Sequence, residues 1–168
     1  MAKSILPIAI CWVLSQVLAA AQIHPNWSFD KLQADADVVV VATPLSTRDS
    51  GRRIESTELS PPVPVIELNT EFRVLSTVSG QIGPSFVLKH YKLDDTRLSG
   101  GCLNCGAWIE FSAAAPSTKL CRVGDVSPNL PTQCNYLMYL KRGATGVYEP
   151  VSGHAFPGMS IFLLRRAS

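Results

Sequence analysis

Apolar and polar positions repeat with different periods along this chain, and the periods divide it into segments. Residues 5–18 are almost continuously apolar, with Lys3 ahead of them and Ala19, Ala20 and Ala21 behind. A charged start, a short apolar stretch and small residues at an A-x-A site form the pattern of a secretory signal peptide, with cleavage after Ala21. The stretch falls short of the roughly 20 residues that span a bilayer. Pro7 and Ser15-Gln16 also interrupt it. The expected organisation is a signal peptide at 1–21 and one domain at 22–168. The expected location is secreted or periplasmic, with no stable membrane insertion after cleavage.

From residue 26 the period becomes helical. Phe29, Leu32 and Ala36 fall on one face, Asn26 or Ser28 can cap the first turn, and Asp30 suits its positive end. Val38-Val39-Val40-Val41-Ala42 follows without a polar break, which predicts a strand buried on both faces. Leu68, Thr70, Phe72 and Val74 then alternate with Asn69, Glu71 and Arg73, and Phe86, Leu88 and His90 alternate in the next run. Period two of this kind predicts half-buried strands. Shorter strands are expected at 107–111, 135–142 and 147–150. The last two are joined by Gly143-Ala144-Thr145-Gly146 as a hairpin. Residues 160–164 read as a final strand or a short helix.

Two stretches have neither period. Residues 46–64 are polar, contain Asp49-Ser50-Gly51 and Pro61-Pro62-Val63-Pro64, and read as a long exposed loop. Residues 112–134, rich in Ser, Pro and Ala, read as a second. No crossover helices separate the strands, so antiparallel pairing should dominate. The predicted fold class is mostly β: a small antiparallel, OB-like barrel of five to seven strands with one short N-terminal helix.

Composition narrows the partners. The 168 residues are 46% hydrophobic and 17% charged, which fits one folded domain. Fifteen basic against thirteen acidic residues leave a net charge of +2, so nucleic acid is not an expected partner. Cleavage would remove Cys11 and leave Cys102, Cys105, Cys121 and Cys134. An even number in an exported chain predicts two disulfides. Three pairings are open, and Cys102–Cys134 with Cys105–Cys121 is the preferred one. A thiol-disulfide oxidoreductase using Cys102 and Cys105 is an alternative. However, Gly100-Gly101 and Gly106 make that pair look like a loop rather than a helix start. Zinc has only half of its usual cysteine spacing. A metal site joining the cysteines to His90 or His154 is the remaining variant. Gly106 after Cys105 excludes c-type haem attachment. No cofactor is expected.

No catalytic residue emerges either. His24, His90 and His154 lack ligand spacing, and no nucleophile elbow or phosphate-cradling loop is present. Asp94-Asp95 reads as a polar turn. Arg52-Arg53, offset by Glu55 and Glu58, and Arg165-Arg166 read as solvated clusters. The aromatics are more informative. Tyr91, Trp108, Tyr139 and Tyr148, placed on a barrel exterior, would stack on sugar rings or bases and are the candidate binding surface; on alternating strands most such residues instead fill the core. Tyr136 is a further aromatic on the strongest strand. The functional expectation is a non-enzymatic exported binding domain with a protein or glycan partner, contacted through loop 46–64 and the cysteine-bearing loops.

The order of the segments 36–44, 72–80, 87–91, 136–142 and 148–153 resembles a group of uncharacterised exported bacterial proteins. It is also similar to the small barrel of netrin-like domains and tissue inhibitors of metalloproteinases. That resemblance implies an OB-like barrel. The inhibitors act through an N-terminal cysteine. The expected mature start, Gln22-Ile23-His24, has none, so the resemblance does not imply protease inhibition. The disulfide expectation has a direct check. The intact, unreduced mature protein should weigh less than the all-thiol chain by about four hydrogens. A full thiol mass would sink it.

Overall fold

The computed structural model describes residues 27–98, 111, 134–144 and 146–164. Among the described residues the one α-helix, α1 (Phe29–Asp35), is capped by Ser28, whose side chain accepts from the Lys31 amide, with Asp30 in the first turn. The described residues then form six strands: β1 (Val38–Ser56), β2 (Val63–Ser79), β3 (Ser85–Leu93), β4 (Asn135–Arg142), β5 (Tyr148–Pro150) and β6 (Ile161–Leu164). A 3-10 turn, Pro157–Met159, leads into β6.

The strands close into a ring. β1, β2 and β3 form an antiparallel meander, β5 inserts beside β3 in parallel, β4 pairs with β5, and β4 returns to β1 over Val38–Ala42. β6 hangs from the far edge of β4. This is a five-stranded, OB-like barrel with one appended strand, as the sequence pattern predicts. No helix among the described residues is long and apolar enough to cross a membrane.

Period two sorts the side chains. Val38, Val40 and Ala42 point into the barrel with Phe72, Phe86, Leu88, Phe111, Tyr136, Met138, Leu140 and Tyr148. Val39 points outward, where Leu32 of α1, Tyr139 and Val151 cover it. The valine run is therefore buried on both faces for two separate reasons: an interior and a helix. The barrel is filled largely by rings. Phe72 stacks on Phe86 with centroids 5.3 Å apart and meets Phe111 edge-on at 5.1 Å. Phe111 in turn meets Tyr136 edge-on at 5.3 Å. Each such ring contributes about 1.5–3 kcal/mol of burial, with geometry-dependent attraction added.

One expectation is corrected. Residues 46–64 are not a loop. β1 runs on to Ser56 and β2 starts at Val63, so only 57–62 turn. The ribbon projects past the barrel and much of it meets solvent, so its hydrogen-bond ladder needs no apolar alternation, the signal a strand normally leaves in sequence. Its polar and turn-like residues sit at a bulge between Asp49 and Arg53. There Gly51 donates to Asp49 and the Arg53 guanidinium clasps the same carboxylate at 2.7 Å. Other register slips in this ladder leave Leu45, Leu75 and Val78 without a cross-strand partner. All three are exposed, because a bulge re-aims its side chain. The final segment resolves as a strand, preceded by the 3-10 turn. Of the expected strand 107–111, only Phe111 is among the described residues, and Trp108 lies outside them. So do residues 1–26, with the expected signal peptide and His24, and Arg165-Arg166.

Gly80 ends β2 at φ +80°, and a Cβ there would lie 2.2 Å from the Asp37 carbonyl oxygen. Gly146 has a similar φ of +78° but open space around it. Gly80→Ala should therefore cost about 3 kcal/mol or more in urea unfolding, against about 1–2 kcal/mol for Gly146→Ala. Equal losses would contradict the close approach of β2 to Asp37.

Candidate functional site

On β2 and β3 the residues that do not enter the barrel form an outer face. Register pairs Glu67 with Tyr91, Asn69 with Lys89, and Glu71 with Val87. β5 adds Glu149, since its neighbours Tyr148 and Pro150 are turned inward. Lys89 forms an ion pair with Glu149, and Arg52, reaching from the ribbon, lies 3.3 Å from Glu67. The segment between β5 and β6 then folds over the lower end of this face. Its His154 ring lies on Tyr91 with centroids 4.3 Å apart and 33° between planes. The His154 Nε2 is 3.7 Å from Glu149 Oε2.

Glu58, in the turn between β1 and β2, fastens the same segment. Its Oε2 accepts from the Ala155 amide at 2.8 Å. The carboxylate also occupies the space a Cβ at Gly153 would need, so a side chain there is excluded by both contact and φ (+84°). Leu59, Val63, Val65 and Ala155 close the apolar floor, with Tyr91 and Phe156 packed against it.

Burial opposes every charge in this group, and pairing decides the outcome. For Glu149, burial raises the carboxyl's pKa. The Lys89 hydrogen bond and the charges of His154, Lys89 and Lys141 outweigh it and hold the carboxyl below its usual range. For Lys89, burial works downward and Glu149 brings the net shift above the ordinary value. Burial raises the Tyr91 phenol, which stays neutral. His154 goes the other way: burial lowers it despite Glu58 and Glu149, so the imidazole is neutral at neutral pH.

Behind this face the buried His90 ends a hydroxyl chain that starts at the exposed Thr47. Thr47 donates to the Phe111 carbonyl at 3.1 Å. The Thr47 and Thr70 hydroxyls are 2.8 Å apart, and Thr70 is 2.8 Å from His90 Nε2. Each hydroxyl has one proton. Thr47 spends its proton on the carbonyl, so Thr70 donates to Thr47, and His90 Nε2–H must donate to Thr70. Nδ1 is then a bare acceptor, buried without a partner. Burial, with the charge of His154 second, pushes the His90 pKa down to about 3, consistent with this neutral tautomer.

Of the three described aromatics expected on the binding surface, only Tyr91 reaches this face, and it is half-buried; Trp108 lies outside the described residues. Two assignments are corrected. Tyr148 points into the barrel and meets Phe86 edge-on at 5.5 Å. Tyr139 is buried outside the barrel beneath α1, near Phe29 and Phe162. Alternation places their side chains correctly on two faces, but the helix covers the second face. Cys134 is buried at the entrance to β4, and its carbonyl accepts from Thr43. Cys102, Cys105 and Cys121 lie outside the described residues. Asp94 is a turn residue as expected, accepting from Thr96. Glu55 and Glu58 do not offset Arg52-Arg53. Glu55 pairs with Arg97, and Glu58 holds the Ala155 amide. Sequence reasoning missed Glu58, Glu67, Lys89 and Glu149. The available signal was an ionisable residue within an apolar strand, such as Glu67 between Ile66 and Leu68.

Among the described residues, no group of three or more His, Cys, Asp or Glu side chains could hold a metal ion. No family model, curated protein or solved structure matches the chain.

His90 also sets a pH dependence. Its folded pKa is depressed, so below about 6.5 the unfolded chain binds more protons than the folded one. Stability then falls as pH drops, and this contribution continues down to about 3. His90→Gln keeps an amide donor for Thr70 and removes the titration. Urea unfolding between about pH 5.5 and 4 should show a slope shallower than wild type by about 1.4 kcal/mol per pH unit. An unchanged slope would mean that His90 is protonated in the fold.

Proposed function

We propose that this chain is an exported, non-enzymatic interaction domain. It takes a polar, near-neutral partner, a glycan or a hydrophilic protein surface, on the outer face of β2, β3 and β5. One observation carries the reading. The ionisable groups of that face are already paired, Arg52 with Glu67 and Lys89 with Glu149, around a half-buried Tyr91. The face offers hydrogen-bonding groups and an aromatic ring without a strong net field. A nucleic acid, which is held by unpaired cations, does not suit it. The equivalent face is a common binding surface of OB-like barrels, between the loops that follow strands 1 and 4.

The contact surface moves accordingly. The ribbon contributes Arg52 and the turn 57–62, in place of a long exposed loop 46–64. The disulfide part of the reading is supported by the burial of Cys134 at the entrance to β4. The relationship to netrin-like domains remains part of this proposal and rests on the order of the sequence segments. Export rests on the N-terminal sequence pattern.

Asn69→Arg with Glu71→Arg places two unpaired cations on the face at positions outside the core. Surface changes of this kind usually move stability by no more than about 0.5 kcal/mol. Glycan-array binding and capture of exported proteins should each be compared for wild type and this double variant. The expected result is a partner bound by wild type and at least about tenfold more weakly by the variant, with Tm unchanged. Undiminished binding by the variant would move the site elsewhere.

A further inference from the structure

We propose that residues 151–160 form an acid-opened flap over the β2–β3–β5 face, with His154 as the group that senses the proton. Both ends of the segment are tied to β4: the Val151 amide donates to the Tyr139 carbonyl, and the Tyr139 amide donates to the Ser160 carbonyl. Ser152 and Ser160 also bond to each other across its base at 2.8 Å. These bonds carry no titratable group and act as the hinge.

The middle of the segment is held differently. The contacts that seat it are the Ala155 amide on Glu58, the His154 ring on Tyr91, and Ala155 and Phe156 on the floor of Leu59, Val63 and Val65. His154 is central to them and only 7% exposed. Its Nε2 lies beyond hydrogen-bond distance of Glu149, which is already engaged by Lys89. Its Nδ1 is buried with no partner.

A neutral ring tolerates that seat, whereas an imidazolium does not. The charged ring carries two N–H donors. Glu149 can serve only the one on Nε2, and the donor on Nδ1 would be buried unsatisfied. Every charged neighbour bears on the balance. Glu58 in the 57–62 turn and Glu149 on β5 favour the proton. Lys89 on β3 and Lys141 on β4 oppose it, and Tyr91 is neutral. Burial outweighs the two carboxylates and lowers the His154 pKa. His90, behind the barrel wall, stays neutral through the same pH range. Protonation therefore favours the form with His154 in water. Leaving the seat lifts Ala155 and Phe156 off the floor and frees one face of the Tyr91 ring. The flap is a property of the unliganded chain and does not depend on what the face binds.

Amide hydrogen exchange between about pH 7.5 and 5 tests this, with rates corrected for intrinsic exchange. If one proton drives opening, the protection of residues 153–158 should fall about tenfold per pH unit below about 6.5. That exchange should stay faster than in β4 and be insensitive to low urea, the mark of local opening. His154→Gln should abolish the slope, and His90→Gln should keep it. Protection independent of pH in wild type would overturn the proposal. So would protection equal to that of β4, or an unchanged slope in His154→Gln. If His154→Gln does not fold, NMR of the wild type decides. The His154 ring and the 153–158 amides must titrate at one midpoint, and separate midpoints overturn the inference.

Discussion

Ring closure is the constraint on which the rest of this molecule depends. Residues 39–42 of β1 pair with β2 on one edge and with β4 on the other. Only a strand with both edges satisfied can be buried on both faces, because a buried unpaired backbone group is costly. Five consecutive apolar residues, 38–42, make that segment insoluble by itself and stable only inside a closed sheet. The parallel contact of β3 with β5 completes the circuit at Leu88 and Tyr148, and the enclosed space is packed with aromatic rings.

Closure also creates the electrostatic character of the site. A barrel wall one strand thick separates His90, inside and dry, from Tyr91 and His154 outside. The interior histidine is held neutral through hydroxyl bonds, and its tautomer follows from proton counting along Thr47 and Thr70. The outer histidine is neutral because a short segment presses it against Tyr91. Two groups of the same type therefore have distinct roles. His90 is a fixed polar element of the core, while His154 is seated only as long as a few contacts around Glu58 and Tyr91 persist.

Much of the fold was legible before the structure. The helix cap at Ser28, the valine run, and the alternation through Phe72 and Leu88 each depend on local periodicity, and each appears where that periodicity puts it. The ribbon was not legible. Residues 46–56 are polar, contain glycine, and satisfy their backbone across a two-stranded ladder that leaves no hydrophobic period. The site was legible only at Tyr91. Glu58, Glu67 and Glu149 look like ordinary surface acids in sequence, and their meaning comes from partners 15 to 97 positions away, such as Arg52 for Glu67 and Ala155 for Glu58.

The sequence by itself determined the local choices: which segments extend, which faces are apolar, where a helix starts, and that the charge is nearly balanced. Those choices depend on propensity and period, which act over a few residues. Only the tertiary structure decided that β5 lies beside β3, that Tyr139 and Tyr148 are buried on opposite sides of one sheet, and that His154 rests on Tyr91 under the grip of Glu58. The reason is physical. Burial and electrostatics are properties of what surrounds a side chain. In a closed barrel those surroundings are assembled from strands far apart in sequence.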